Sequence, residues 1–102
     1  MFLDLFFLKF GKIKVVDKNV KRGKGWSQVS KNLNRNKMPS KHFLMPKEKK
    51  FPVYTQTGKL SCRAIQSSIL RSRMLYSKTK QRKYKLVQNK AEKLLKIYNC
   101  NR

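Results

Sequence analysis

The sequence predicts a small fold of the α or α+β class whose C-terminal part is a helical hairpin. Apolar residues recur at helical spacing over residues 61–77 and again over 80–98, with the polar stretch KTKQRK at the junction. Prolines recur in the segment that precedes these two helical stretches, and they disfavour helix there. The chain has 102 residues, a length that fits one domain.

The second helical segment has the more regular pattern. Its apolar positions are three and four residues apart and form one seam, which Leu95 widens: Tyr84, Val87, Ala91, Leu94 and Tyr98. In the first segment Thr57 or Ser61 offers an N-cap. The apolar face predicted there, with Leu70 and Met74 beside it, consists of Cys62, Ile65, Ile69 and Tyr76.

The segment of residues 38–54, here called the strap, contains Pro39, Pro46 and Pro52. Because each proline disfavours helical backbone at the residue before it, the strap is expected to be extended or turning. Its apolar side chains, such as Phe43 and Phe51, are suited to lie across a small core.

The N-terminal run MFLDLFFLKF, residues 1–10, is densely apolar but shorter than the roughly 20 residues that cross a bilayer. We expect it to dock on a partner protein; a membrane-surface anchor and an organellar targeting peptide remain as alternatives. The alternation in KIKVV, residues 12–16, favours a half-buried strand. A short β-hairpin over about residues 3–21 would contain both stretches.

Residues 17–42 have the composition of a flexible basic arm, with cations spread through Gly, Ser and Asn. Trp26, within KRGKGW, is suited to anchor this arm on protein, with base stacking as the alternative. The predicted organisation is therefore a docking segment (1–16), an arm (17–42) and a domain of strap plus helical hairpin (43–102).

Charge dominates the composition. Lys and Arg number 27 and Asp and Glu number 4, which gives a formal net charge of +23. Most cations therefore lack a carboxylate partner within the chain, and their mutual repulsion would be relieved by a polyanion. Zinc-finger, RNP and basic-zipper patterns are absent from the sequence, which favours contacts with the nucleic-acid backbone, DNA or RNA, over base readout.

Two groups of residues are predicted to make contacts with partners. The nucleic-acid-binding group has one part in the arm, Lys21, Arg22, Lys24 and Arg35. The other part clusters around the junction of the two helices: Arg63, Arg71, Arg73, Lys80, Arg82 and Lys83. The group predicted to dock on neighbouring proteins is Phe2, Leu5, Phe6, Trp26, Phe43 and Phe51.

The sequence contains no catalytic constellation, so we expect a protein that is not an enzyme and has no cofactor, metal or small-molecule substrate. His42 is the single histidine and lies among cations, while the four acids are scattered. Cys62 and Cys100 are too few for a disulfide framework or a four-cysteine zinc site. Two reduced thiols in a reducing compartment are expected, with one disulfide as the alternative.

Residues 38–98 resemble a short module, of undefined function, found in proteins of phages and large DNA viruses. The resemblance rests on Pro39-Ser40, on the pattern Phe-x-x-Pro-Lys-x-x-Lys-Phe-Pro over residues 43–52 with Val53, on Ala64, and on the lysine-rich end from Lys90-Ala91 to Tyr98. A histidine that commonly opens the module's first helix is replaced here by Gly58 to Leu60. The resemblance implies a strap followed by two helices, in a virion or nucleoprotein context.

The predicted function is that of a structural component of a large nucleoprotein particle, with nucleic acid and neighbouring proteins as partners. The resemblance points to a virion, as a capsid or core protein. The short, lysine-rich composition fits a mitochondrial ribosomal protein that binds ribosomal RNA. A capsid cement protein that contacts acidic protein surfaces is the third alternative. Secretion is not expected, and membrane association is the least favoured partner interaction.

Overall fold

The computed structural model describes residues 15–17 and 23–100. Over these residues the fold is small and of the α+β class, with a C-terminal helical hairpin, as predicted from the sequence. Two 3₁₀ turns, Arg35–Lys37 and Ser40–His42, precede the strap strands. In chain order, the strands and α-helices are β1 (Val15–Val16), α1 (Trp26–Lys31), β2 (Phe43–Met45), β3 (Lys50–Pro52), β4 (Leu60–Ser61), α2 (Cys62–Thr79) and α3 (Arg82–Ile97).

Helix α2 begins with a side-chain cap and ends with a left-handed residue. The Oγ of Ser61 accepts a hydrogen bond from the backbone N–H of Ala64 at 3.2 Å, which satisfies one of the free donors of the first turn. At the other end Lys80 has φ 58°, and its N–H donates to the carbonyl of Tyr76 at 2.8 Å. The chain then reverses and α3 starts after Gln81, so both predicted helices are confirmed.

The two helices bury the faces that their apolar periodicity predicted, with one departure on each helix. Val87 and Ala91 are buried on the seam, but Leu95, at 4% exposure, is buried more deeply than Leu94. On α2 Leu70 and Met74 are 49% and 50% exposed, because they lie opposite the buried face of the helix.

The strap is an antiparallel hairpin in which Phe43 pairs with Pro52 and Met45 with Lys50. The N–H of Ser61 donates to the carbonyl of Val53 at 2.9 Å, which ties the strap to the start of α2. Tyr54 forms an isolated antiparallel bridge with Leu60. The extended and turning conformation expected from the prolines is therefore present.

Strand β1 pairs in parallel with β4, Val15 with Leu60 and Val16 with Ser61. Most of the predicted N-terminal hairpin, and all of residues 1–10, lie outside the described residues. The strand predicted for KIKVV is described only at its end, where its partner is β4.

The prediction of a basic arm is wrong for residues 23–42. Trp26 and Met38 are 3% and 2% exposed, and Val29 and Leu33 pack against the core. Trp26, Val29 and Leu33 are spaced by three and four residues, which is helical periodicity. The pattern is weak in the sequence because α1 is only six residues long and its other positions are polar.

Two further expectations are corrected by the core. Cys62 and Cys100 form a disulfide, with their Cα atoms 5.6 Å apart, rather than two thiols. The hairpin brings the start of α2 and the residues after α3 to the same end of the molecule.

The prediction of docking on neighbouring proteins is wrong for Trp26, Phe43 and Phe51. These side chains are buried within the chain, since its core is small and uses these large side chains itself. Phe2, Leu5 and Phe6 lie outside the described residues.

Candidate nucleic-acid interface

The ten cations predicted to bind nucleic acid fall into three groups according to where the structure places them. Lys21 and Arg22 lie outside the described residues. Arg35 and Arg63 are half-buried and hold the fold together. The predicted cations that are exposed are Lys24, Arg71, Arg73, Lys80, Arg82 and Lys83.

Arg63 is committed to a contact within the chain. Its Nε donates to Asp17 Oδ2 at 2.8 Å, and its backbone N–H donates to Asp17 Oδ1 at 3.2 Å. The hydroxyl of Ser61 donates to the same carboxylate at 2.9 Å. Asp17 therefore fastens the end of β1 to the start of α2, and Arg63 contributes less free charge to a surface than its sequence position suggests.

Arg35 joins the first 3₁₀ turn to the turn of residues 46–49 between β2 and β3, here called the strap turn. Its guanidinium donates to the carbonyl of Lys49 at 2.9 Å and to Ser30 Oγ at 3.1 Å, and lies 5.7 Å from the Phe43 ring centroid. The ammonium of Lys49 donates in return to the carbonyl of Arg35 at 3.1 Å. These reciprocal bonds set the distance between α1 and the strap.

A basic cleft of about 710 Å³ opens between α1, the strap turn and α2. Among the described residues that line it, one has a carboxylate, Glu48. The five cations of this lining are Lys31, Arg35, Lys49, Lys50 and Arg71. Sequence analysis named Arg35 and Arg71 but missed the three lysines, because they come from two segments that only the tertiary fold brings together.

Polar and aromatic side chains complete the lining of the basic cleft. Ser27 and Ser30 come from α1, and Ser67 and Ser68 from α2. The aromatic side chains are those of Trp26, Phe51 and Tyr84. Tyr84 is half-buried and meets Phe51 edge to face, with ring centroids 6.3 Å apart. The cleft thus combines cations, hydroxyl groups and an aromatic wall.

The outward surface of α3 is a second basic region that sequence analysis largely left out of the predicted site. Glu92, half-buried, is the one acid of this helix. Cations occupy the positions that the apolar seam leaves free, which is the pattern that identifies them from sequence. The exposed cations of this surface are Arg82, Lys83, Lys85, Lys90, Lys93 and Lys96.

Burial determines the protonation of a small ring cluster at the strap. The His42 ring stacks on Tyr54 with centroids 4.2 Å apart, and burial, assisted by the charge of Lys41, lowers the pKa of His42. Burial raises the pKa of Tyr54, and burial together with Tyr54 raises that of Tyr98. These groups are therefore neutral at neutral pH.

Within residues 15–17 and 23–100, no group of three or more His, Cys, Asp or Glu side chains is placed to hold a metal ion. No helix in the same residues is long and apolar enough to cross a membrane.

No protein-family model, curated protein or solved structure matches the chain.

Proposed function

We propose that this chain is a non-enzymatic, basic structural component of a large nucleoprotein particle that binds the nucleic-acid backbone without sequence specificity. The observation that carries the proposal is the excess of 27 cations over 4 acids. Folding neutralises little of this excess: in the described part of the chain the one ion pair joins Arg63 to Asp17. Phosphates would supply the missing counter-charge through release of condensed counterions.

The arrangement of the cations also supports the proposal. The α3 surface presents a set of ammonium and guanidinium groups along one helix, and the basic cleft presents a second set contributed by α1, the first 3₁₀ turn, the strap and α2. Such surfaces suit a phosphate backbone, whose charge is repetitive and independent of base sequence.

Within this class we propose a virion as the particle, because residues 38–98 resemble the module found in proteins of phages and large DNA viruses. A mitochondrial ribosome is the second candidate, because the chain is short and rich in lysine. Crosslinking of the protein within its native particle separates the two. Crosslinks to packaged genome support the virion, and crosslinks to ribosomal RNA support the ribosome.

The binding mode is tested by titrating the whole chain with two oligonucleotides of scrambled sequence at a series of salt concentrations. We expect equal affinities for the two sequences. We also expect log K to fall linearly with log salt, by about 0.9 per phosphate contact on duplex DNA. Poly-glutamate of equal charge is the control polyanion. Binding to poly-glutamate as tight as to the oligonucleotides would instead support cement between acidic protein surfaces.

A further inference from the structure

Within the described residues, the basic cleft differs from the α3 surface in being concave and partly aromatic. Its volume of about 710 Å³ lies within the range of about 300–1,000 Å³ typical of sites that enclose a small ligand. Contacts with the backbone phosphates of a duplex need cations and polar donors but no aromatic wall. A concave site with an aromatic wall can also receive a base.

The cations of the cleft divide into a structural pair and a set available to a ligand. Arg35 and Lys49 hold each other's backbone carbonyls and so maintain the cleft walls. Among the described residues, no hydrogen bond or ion pair engages the side chains of Lys31, Lys50 or Arg71. These three come from α1, β3 and α2, the elements around the cleft.

The aromatic wall supplies a surface that an inorganic anion would not use. Tyr84 is half-buried, and its edge-to-face contact with Phe51 fixes the plane of its ring. The exposed Lys83 places its ammonium over the Tyr84 ring, 5.2 Å from the centroid, and a stacking base would take over this position on the ring. A base stacked on a tyrosine next to cations that hold the flanking phosphates is the usual arrangement in single-strand binding.

Resting on the proposed function, we propose that the basic cleft is a binding site for a single-stranded polynucleotide segment. Lys31, Lys50 and Arg71 hold its phosphates and Tyr84 stacks on a base. A duplex hides the faces of its bases within the stack, so the cleft selects single strands, whereas the α3 surface accepts either form.

Binding in the cleft can be followed by the fluorescence of Trp26, because it is the single tryptophan of the chain and lines this site. A short oligothymidylate bound in the cleft should change the fluorescence of Trp26, and a duplex of equal charge should change it much less. The same titration with thymidine monophosphate tests whether the cleft binds a mononucleotide instead. A fluorescence change at the same low concentration with the mononucleotide would overturn the polynucleotide assignment.

Arg71→Gln and Arg73→Gln form a matched pair, since both residues are exposed on α2 but only Arg71 lines the cleft. We expect Arg71→Gln to weaken oligothymidylate binding about tenfold and Arg73→Gln about twofold or less. Tyr84→Leu should lower the preference for single strands over duplex. The control variant Tyr76→Leu, at a half-buried position outside the cleft lining, should leave that preference unchanged.

The outcomes separate this inference from the proposed function. Salt-dependent binding of the oligonucleotide with equal losses in the two arginine variants and constant Trp26 fluorescence would overturn the cleft assignment and leave the proposed function intact. Failure of the wild-type chain to bind either nucleic acid would overturn both. Circular dichroism of each variant confirms that the fold is retained.

Discussion

At the scale of single residues, Gly23 shows why a glycine is required beside α2. Its φ is +68°, and a Cβ at this position would lie 2.8 Å from the backbone nitrogen of Ser67 and 2.9 Å from the carbonyl oxygen of Arg63. Its N–H donates to Gln66 Oε1 at 2.7 Å. The backbone of residue 23 therefore lies directly on the helix, and this contact positions the start of α1.

Gly23→Ala should destabilise the protein more than Gly58→Ala. Both glycines have positive φ, so both substitutions carry the cost of about 1–2 kcal/mol for a left-handed alanine. Only at Gly23 would the new methyl group meet backbone atoms of α2, which adds about 1–3 kcal/mol of overpacking. Urea denaturation of the two variants measures the difference, and equal midpoints would show that residue 23 does not pack against α2.

At the scale of secondary structure, the hairpin is stabilised by one face of each helix while the other faces remain in solvent. Ile65 and Ile69 on α2 and Val87, Ala91 and Leu95 on α3 are all in the core cluster. The solvent faces differ between the helices, since α3 presents mainly lysines while α2 also presents Leu70 and Met74. Stability and surface charge are therefore separable by substitution on α3.

Leu95→Asp and Ile97→Asp test this separation with the same introduced charge. Leu95 is buried, so aspartate there should lower the free energy of unfolding by about 3–5 kcal/mol. Ile97 is 60% exposed, and aspartate there should cost about 1 kcal/mol or less. Thermal melting followed by circular dichroism gives both values. Similar melting temperatures for the two variants would show that the α3 seam is not buried.

At the scale of the whole molecule, net charge opposes compaction and the disulfide favours it. A charge of +23 on a chain this short raises the free energy of every compact state. The bond between Cys62 and Cys100, 38 residues apart in sequence, encloses both helices of the hairpin. By restricting the unfolded chain, a loop of this length contributes about 3–4 kcal/mol to stability.

Refolding in reductant should lower the denaturation midpoint of the wild type, because the unfolded chain regains the entropy that the disulfide removed. Cys100→Ala lacks the bond, so its midpoint should lie below that of the oxidised wild type whether or not reductant is present. The measurement is urea denaturation of both proteins under each condition. An unchanged wild-type midpoint in reductant, after mass spectrometry confirms free thiols, would contradict a stabilising role for the bond.

What the sequence alone determined is local: the two helices and the extended strap follow from periodicity and prolines. Capping chemistry narrowed the N-cap of α2 to Thr57 or Ser61, and the structure shows Ser61. The tertiary structure decided what depends on packing between distant segments. Examples are the pairing of β1 with β4, the folding of α1 onto α2 through Trp26, and the Cys62–Cys100 bond. The basic cleft belongs to the second kind. Arg71 was recognisable as an exposed cation, but its proximity to Lys31 and Lys50 depends on how α1 and the strap pack on α2, and such non-local contacts leave no periodic pattern in a single sequence.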